Sequence, residues 1–160
     1  MSEDQKTADE AKAAAREAAK AQAVNDLRFR TLGEVMFLMS LSPIHKHQFI
    51  ADLEWSVLPA IAQNQCFIFR EEGRATAVCL YGYVTGEAED RFKKGVMKLS
   101  PNEWNNGDNL WLVNMIDPYN KAGEALEALK AGPLAGKPFK FTTVNAEGQR
   151  VVALMGKEER

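Results

Sequence analysis

Apolar residues in the first third of the chain recur at helical spacing. The segment Leu32 to Met39 is nearly all apolar and predicts a short buried helix. Ser42 and Pro43 resemble a helix start, with a serine N-cap and a proline in the first turn. The helix predicted after this cap continues to about residue 62, and Pro59 should kink or shorten its last turn. Its predicted core residues, spaced three or four apart, are Ile50, Leu53, Val57 and Ile61.

Strand patterns dominate the rest of the chain. The expected elements are strands at 65–70 and 75–84, a helix at 86–97, a strand at 110–116, a helix at 121–130, and strands at 138–144 and 149–155. Phe92 and Val96 should face inward from the first of these helices, while 110–116 is apolar on both faces, as in a central strand. The order predicts an α/β (α+β) fold with a mixed central sheet flanked by helices, N-acetyltransferase-like by analogy.

Residues 1–30 differ in composition from the remainder, which we assign to a single domain at 31–160. The segment is rich in alanine and charged residues, and Thr7 and Glu10 have the spacing of a capping box. It predicts an N-terminal helical extension that projects from the domain, or a partly disordered tail that folds against a partner. Leu27 and Phe29 begin to supply an apolar face, which argues against a tag or linker.

Composition narrows the function classes. A net charge of -2 over 160 residues argues against a general nucleic-acid binder. Cys66 and Cys79 lie in apolar runs, which predicts buried free thiols in a reducing compartment. No apolar run is long enough to cross a membrane, and no metal-binding spacing stands out, so we expect a cytoplasmic protein.

His45 and His47 are the only histidines, and they are the first candidates for chemistry. Histidine commonly acts as a general base because its reference pKa, about 6.5, suits proton transfer at neutral pH. A helix N-terminus at Ser42 would help to keep His45 neutral. His47 would face well away from it on the same helix, so we assign His47 no role.

A longer series of residues resembles the RTX-toxin-activating lysine acyltransferases of the haemolysin-activating type. The resemblance runs from about Leu32 to Gly156, keeps order and spacing, and leaves the N-terminal extension outside. Its segments are Ser42-Pro43-Ile44-His45, Val57-Leu58-Pro59-Ala60-Ile61, Asn64-Gln65, Ala77-Val78-Cys79, Trp104, Gly107-Asp108, Trp111, Ile116 and Pro118.

The resemblance implies an N-acetyltransferase-like enzyme that moves a fatty acyl group from acyl carrier protein to internal lysine ε-amines of an RTX protein. It implies His45 as the catalytic base, although a histidine-bound acyl intermediate is an open alternative. Ile116, Lys121 and Gly123 are the expected donor-binding residues. The stretch 119–123 is a poor pyrophosphate loop, which favours acyl carrier protein over a tightly bound cofactor. Lys93, Lys94 and Lys98 on one predicted helix would form the carrier-docking surface.

Two departures from the family pattern bear on activity. Asn114 stands where the family has an aspartate on the central strand, and Ser56 replaces an asparagine on the histidine helix. Asn114 could orient the imidazole but supplies no negative charge. Ser42, Asp52 and Ser56 are candidates for supporting roles, with Asp52 as a substitute acid two helical turns after His45. The alternatives are a binding or chaperone protein for an RTX-type partner, an N-acyltransferase with another donor, and, for the assembly, a homodimer.

Overall fold

The computed structural model describes residues 2–156, whose strands form one five-stranded sheet. Spatial order equals chain order, and neighbouring strands are antiparallel except for the parallel pair β3–β4. The strands are β1 (Cys66–Glu71), β2 (Arg74–Val84), β3 (Asn109–Ile116), β4 (Phe139–Val144) and β5 (Arg150–Met155). The mixed sheet predicted from the element order is therefore confirmed.

Helices cover both faces of this sheet. They are α1 (Glu3–Leu41), α2 (Leu53–Ser56), α3 (Leu58–Ala62), α4 (Gly86–Lys93) and α5 (Ala122–Ala131), with 3-10 turns at Ile50–Asp52 and Pro101–Glu103. One core cluster lies between the sheet and α1 to α4, and it includes the fully buried Val35, Phe92 and Trp111. The second cluster packs α5 against the opposite face through Ala125 and Leu129. Of the helices in this part of the chain, none is long and apolar enough to cross a membrane.

Helix α1 is one continuous element of 39 residues, not an extension followed by a separate short helix. It begins at Glu3, and Thr7 lies inside it with its hydroxyl bonded to the carbonyls of Glu3 and Asp4, so the predicted capping box is wrong. Residues 2–30 are exposed, and burial begins at residue 31. Leu27 is 62% exposed, so it lies on open helix surface.

The segment after α1 is a turn and three short helical pieces instead of the single predicted helix. Ser42 ends α1 as its C-cap, and residues 43–47 form a turn. Val57 breaks the helix between α2 and α3 with φ -130° and ψ -50°, and Pro59 belongs to the first turn of α3, where its missing N–H costs nothing. Leu53, Val57 and Ile61 are buried as expected, but Ile50 is 79% exposed because its turn lies outside the stripe.

Helix α4 is shorter than predicted. It starts after its N-cap Thr85, whose hydroxyl accepts a hydrogen bond from the Ala88 N–H, and it ends at Lys93. Phe92 is buried edge-on against Trp111, whereas Val96 lies beyond the helix and is half exposed. Lys98 therefore does not share a helical face with the other two lysines proposed for carrier docking.

A β-bulge in β3 changes which way one residue faces. Leu80 lies opposite Asn114 and Tyr81 lies opposite Leu112, so Val113 is the extra residue. Strict alternation would turn Asn114 toward α5, because Val113 packs in the cluster beneath α1. With the bulge, Val113 and Asn114 line the same cavity on the α1 side of the sheet.

Strands β3 and β4 are joined by a single register pair, Trp111 with Lys140. Glu89, which is buried, accepts hydrogen bonds from Trp111 Nε1 at 2.7 Å and from Lys140 Nζ at 3.1 Å. These bonds hold the pair together. From Val113 to Ile116, in the described chain, β3 has no ladder partner on its β4 side.

Gly107 gives a direct test of this packing. A Cβ at this position would lie 2.1 Å from the Val84 carbonyl carbon and oxygen, so the backbone would have to move. Gly107→Ala should lower the free energy of unfolding by about 2 kcal/mol or more. Gly33→Ala is the matched control, because Gly33 lies within α1 with open space around it and should gain about 0.5–1 kcal/mol. Urea unfolding of both variants measures the difference, and equal effects would contradict the close approach.

Candidate active site

His45 lies in the turn that reverses the chain after α1. The Ser42 carbonyl accepts hydrogen bonds from the His45 N–H at 3.2 Å and the Lys46 N–H at 2.9 Å, which closes the turn. The reversal carries the imidazole back over the sheet, where His45 is only 6% exposed. His47, two residues on, remains exposed. His45 is thus positioned by a turn, not by the predicted helix.

Both ring nitrogens of His45 have partners. Nδ1 lies 2.7 Å from Ser42 Oγ, and Nε2 lies 3.0 Å from Asn114 Oδ1. An amide oxygen can only accept, so Nε2 carries the proton in the neutral ring. Nδ1 then holds the lone pair and accepts the hydrogen bond that the Ser42 hydroxyl donates. The Ser42–His45–Asn114 chain therefore fixes both the ring orientation and the tautomer.

Burial keeps His45 neutral. Desolvation lowers the pKa of His45, and the hydrogen bond to Asn114 acts in the opposite direction, leaving the pKa below its ordinary value. The predicted cause, a helix N-terminus, is wrong because Ser42 ends a helix and does not begin one. At neutral pH the side chain is an uncharged imidazole, which is the form that can accept a proton.

A cavity of about 320 Å³ opens beside the ring. Its lining combines apolar and polar side chains: Ile44, His45, Gln48, Trp55, Ser56, Met97, Lys98, Leu99, Trp104, Val113 and Asn114. Lys98 is the one lysine among them, and its Nζ lies 4.6 Å from the Trp55 ring centroid. None of the lining residues is acidic. The cavity therefore favours uncharged and anionic groups over cations.

The Asp52 carboxylate has its hydrogen-bond partners within its own segment, and its role as a substitute acid stays a prediction. This carboxylate accepts hydrogen bonds from the Phe49 N–H at 3.1 Å and from Trp55 Nε1 at 3.3 Å. The Asp52 carbonyl accepts a hydrogen bond from the Ser56 hydroxyl at 2.7 Å, so Ser56 borders the cavity with its proton engaged by that carbonyl. Both residues shape the wall that carries Trp55. The prediction of one helical strip from His45 to Asp52 fails because a turn and a 3-10 helix take the place of that helix.

The expected donor-binding residues do not share the cavity with His45. Ile116 is fully buried in the core. Lys121 Nζ lies 3.5 Å from Glu71 Oε2 at a separate groove of about 860 Å³ between α1 and the β1–β2 hairpin. Gly123 lines a third depression with Phe69. Asp117 caps the intervening loop by accepting a hydrogen bond from the Lys121 N–H. A role for these residues in donor binding remains a prediction.

The thiols and the tryptophans lie where their patterns predict. Cys79 is buried, Cys66 is partly buried, and burial raises the pKa of each thiol to about 12. Neither can supply a thiolate nucleophile at neutral pH. Trp104 and Trp111 are buried in the core, and Trp104 also borders the cavity. Residues 2–156 contain no cluster of three metal-ligating side chains.

Two residues of the site, Gln48 and Trp55, were missed by sequence reasoning, and Lys98 was assigned to the carrier-docking surface instead. All three line the cavity, but Gln48 and Lys98 lie in irregular segments and Trp55 lies in the four-residue α2, so none belongs to a repeating pattern. For Gln48, the one available signal was its proximity to His45 along the chain.

Comparison with known proteins identifies the family. Residues 24–156 match the RTX toxin acyltransferase family. The lysine-acyltransferase RtxC of Vibrio cholerae serotype O1 is 29% identical over 127 residues, which cover 79% of this chain and 77% of the relative. The RTX-II and RTX-I toxin-activating lysine-acyltransferases of Actinobacillus pleuropneumoniae are 32% and 33% identical over 91 residues, 57% of this chain and 57% and 53% of theirs.

The chain belongs to the RTX toxin acyltransferase family, as the resemblance predicted. It is by family an acyltransferase. The matches to the two Actinobacillus proteins span little more than half of their length.

The titration of His45 tests the electrostatics of the site. We expect a midpoint below the ordinary 6.5, because desolvation disfavours the imidazolium. Asn114→Asp should raise the midpoint by adding a negative charge at Nε2, and Asn114→Ala should lower it further by removing the hydrogen bond. NMR titration in a His47→Gln background leaves one imidazole to follow. A wild-type midpoint at or above 6.5, or a fall in Asn114→Asp, would contradict the described geometry.

Proposed function

We propose, on the premise of this family membership, that the chain is a protein-lysine acyltransferase with His45 as its general base. The acyl donor is acyl carrier protein, and the acceptors are internal lysine ε-amines of an RTX-type protein. The names of the relatives support lysine as the acceptor and an RTX toxin as the substrate. The observation that carries the proposal is a neutral, buried His45 in a hydrogen-bond chain at the wall of a cavity.

The base is needed because a lysine amine, with a reference pKa of about 10.4, is almost wholly protonated at neutral pH. Its proton passes to Ser42 Oγ as the Ser42 hydroxyl proton moves to His45 Nδ1, along the 2.7 Å contact. The resulting imidazolium donates both N–H groups, one to Ser42 Oγ and one to Asn114 Oδ1. Both acceptors are already in place, so little reorganisation accompanies the transfer.

The neutral amine then attacks the thioester carbonyl. A C–N bond forms, and the carbonyl oxygen of the tetrahedral intermediate carries the negative charge. When the carbonyl reforms, the C–S bond breaks, and the carrier thiolate leaves and takes up the proton held on His45. The nitrogen, which still carries one proton more than an amide, passes it through Ser42 to the now neutral His45, and His45 releases it to water. The products are an amide on the lysine and the free carrier thiol, so no cofactor or oxidant is consumed.

The developing negative charge requires donors near the cavity. Lys98 supplies a positive charge at its wall, and the β4-facing edge of β3 from Val113 to Ile116 offers backbone N–H groups without a ladder partner in the described chain. The thioester arm of the carrier therefore approaches along this open edge, near the backbone of Ile116. Lys121, the N-cap of α5, and Gly123, in its first turn, follow Ile116 along the chain but line two other depressions, so their part in donor binding rests on the resemblance alone.

Asn114 provides orientation without charge. In the family pattern an aspartate at this position would stabilise the imidazolium fully, whereas a neutral amide does so only through one hydrogen bond. A slower enzyme follows from this difference. The neutral side chain at position 114 also favours the second candidate, a binding or chaperone protein for the RTX partner. The experiment must therefore detect acyl transfer itself.

The proposed function is tested with purified protein, a fatty acyl carrier protein and an RTX-type protein from the same source. Intact mass and peptide mapping should show acyl groups on internal lysines. His45→Ala should lose at least about 100-fold in rate, the size expected for a general base, and His47→Ala should stay near wild type. Acyl coenzyme A in place of the carrier thioester should be a poor donor.

Each alternative has its own result. Loss of activity in both histidine variants, or retained activity in His45→Ala, would refute His45 as the base. Equal transfer from coenzyme A thioesters would refute the carrier as the specific donor. Stable binding of the RTX protein without transfer from any thioester would identify the binding protein.

A further inference from the structure

Gln48 holds the one buried side-chain nitrogen or oxygen in residues 2–156 that has no hydrogen-bond partner. The atom is its amide oxygen, Oε1. A buried acceptor without a donor costs free energy, because it has lost its water and gained nothing in return. Such an atom in a folded protein calls for an explanation.

The position of Gln48 relates this atom to the proposed chemistry. Its backbone N–H donates to the His45 carbonyl at 3.1 Å, so the two residues belong to the same turn. A second, smaller cavity of about 130 Å³ lies on the α1 side of the ring and is bordered by Met36 and Met39. Gln48 and His45 are the two residues that line both cavities. The residue that carries the unpaired oxygen thus borders the same two cavities as the base.

We propose that Gln48 Oε1 accepts a hydrogen bond from the ε-amine of the acceptor lysine and holds that amine beside His45. The inference rests on the proposed function. A lysine ammonium has three N–H groups, and transfer of one proton toward His45 leaves two that need acceptors inside the cavity. Gln48 supplies one acceptor where no lining residue carries a carboxylate. The nitrogen lone pair is then free to face the thioester carbonyl.

The number of protons that remain on the nucleophile after deprotonation makes Gln48 selective for amines. A serine or threonine hydroxyl has a single proton, and once this proton has moved toward His45 the oxygen has nothing left to donate. Gln48 Oε1 would then stay unpaired through the reaction, at the cost that buried unpaired acceptors carry. An amine always retains a donor. The residue therefore favours amide formation over ester formation.

The test compares Gln48→Leu with wild type in the acylation assay, using the full chain. Leucine keeps an apolar side chain of similar volume and removes the acceptor. We expect the KM for the acceptor lysine to rise about tenfold or more, the KM for the carrier thioester to stay unchanged, and the unfolding temperature to stay equal or rise. A merely structural role would instead lower the unfolding temperature.

Two further variants sharpen the test. Gln48→Glu keeps an acceptor oxygen, so it should restore the acceptor KM, while its charge should move the acid limb of the pH–rate profile to higher pH. Gln63→Leu is the matched control: Gln63 is exposed and its Oε1 already accepts from Asn105 Nδ2 at 3.3 Å, away from both cavities. It should leave both KM values unchanged. Gln48→Met replaces the leucine variant if that one misfolds.

The outcomes separate the inference from the function on which it rests. Transfer by wild type with an unchanged acceptor KM in Gln48→Leu would overturn the role of Gln48 and leave the acyltransferase intact. A rise in the carrier KM alone would assign Gln48 to the donor and also overturn it. Absence of transfer by wild type would overturn both.

Discussion

The hydrogen bond between His45 and Asn114 is the contact on which the site depends, and it joins positions 69 residues apart. One end is placed by the turn that Ser42 closes after α1. The other end is placed by the bulge at Val113, which turns the Asn114 side chain to the same face of the sheet as Val113. A regular β3 would direct Asn114 toward α5 and leave Nε2 of a buried imidazole unpaired. The bulge is therefore a requirement of the site.

The electrostatics of the site follow from its neutrality. His45 is held uncharged by burial, its two hydrogen-bond partners are neutral, and the cavity lining adds one cation and no carboxylate. Such surroundings suit a reaction in which an amine loses its positive charge and an oxygen gains a negative charge. The buried thiols, with their pKa values raised to about 12, are excluded from this chemistry. The acid–base steps of the proposed reaction therefore all pass through His45.

The sheet can be predicted from the sequence, but the geometry of the site cannot. The strands are predictable because alternating or continuous apolar residues bury on known faces, and the resemblance to the family points to His45 and Asn114 through their places in its pattern. The turn after α1 is easily mistaken for a helix, because Ser42-Pro43 is equally compatible with the end of one helix and the start of another. The bulge has no glycine or proline to mark it. Gln48 is a candidate only because the folded chain leaves its side-chain oxygen unpaired and places the residue at both cavities that His45 lines.

The central claim is that His45 accepts a proton and never the acyl group. Nε2 carries hydrogen, and the lone pair of Nδ1 is engaged by Ser42, so neither nitrogen is free to attack a thioester. Rapid mixing of the enzyme with acyl carrier protein, without an acceptor, followed by intact mass measurement tests this most directly. We predict an enzyme of unchanged mass and a carrier that stays loaded until a lysine acceptor is added. Enzyme that gains one acyl group on His45 or Ser42 and passes it to the lysine would contradict the claim.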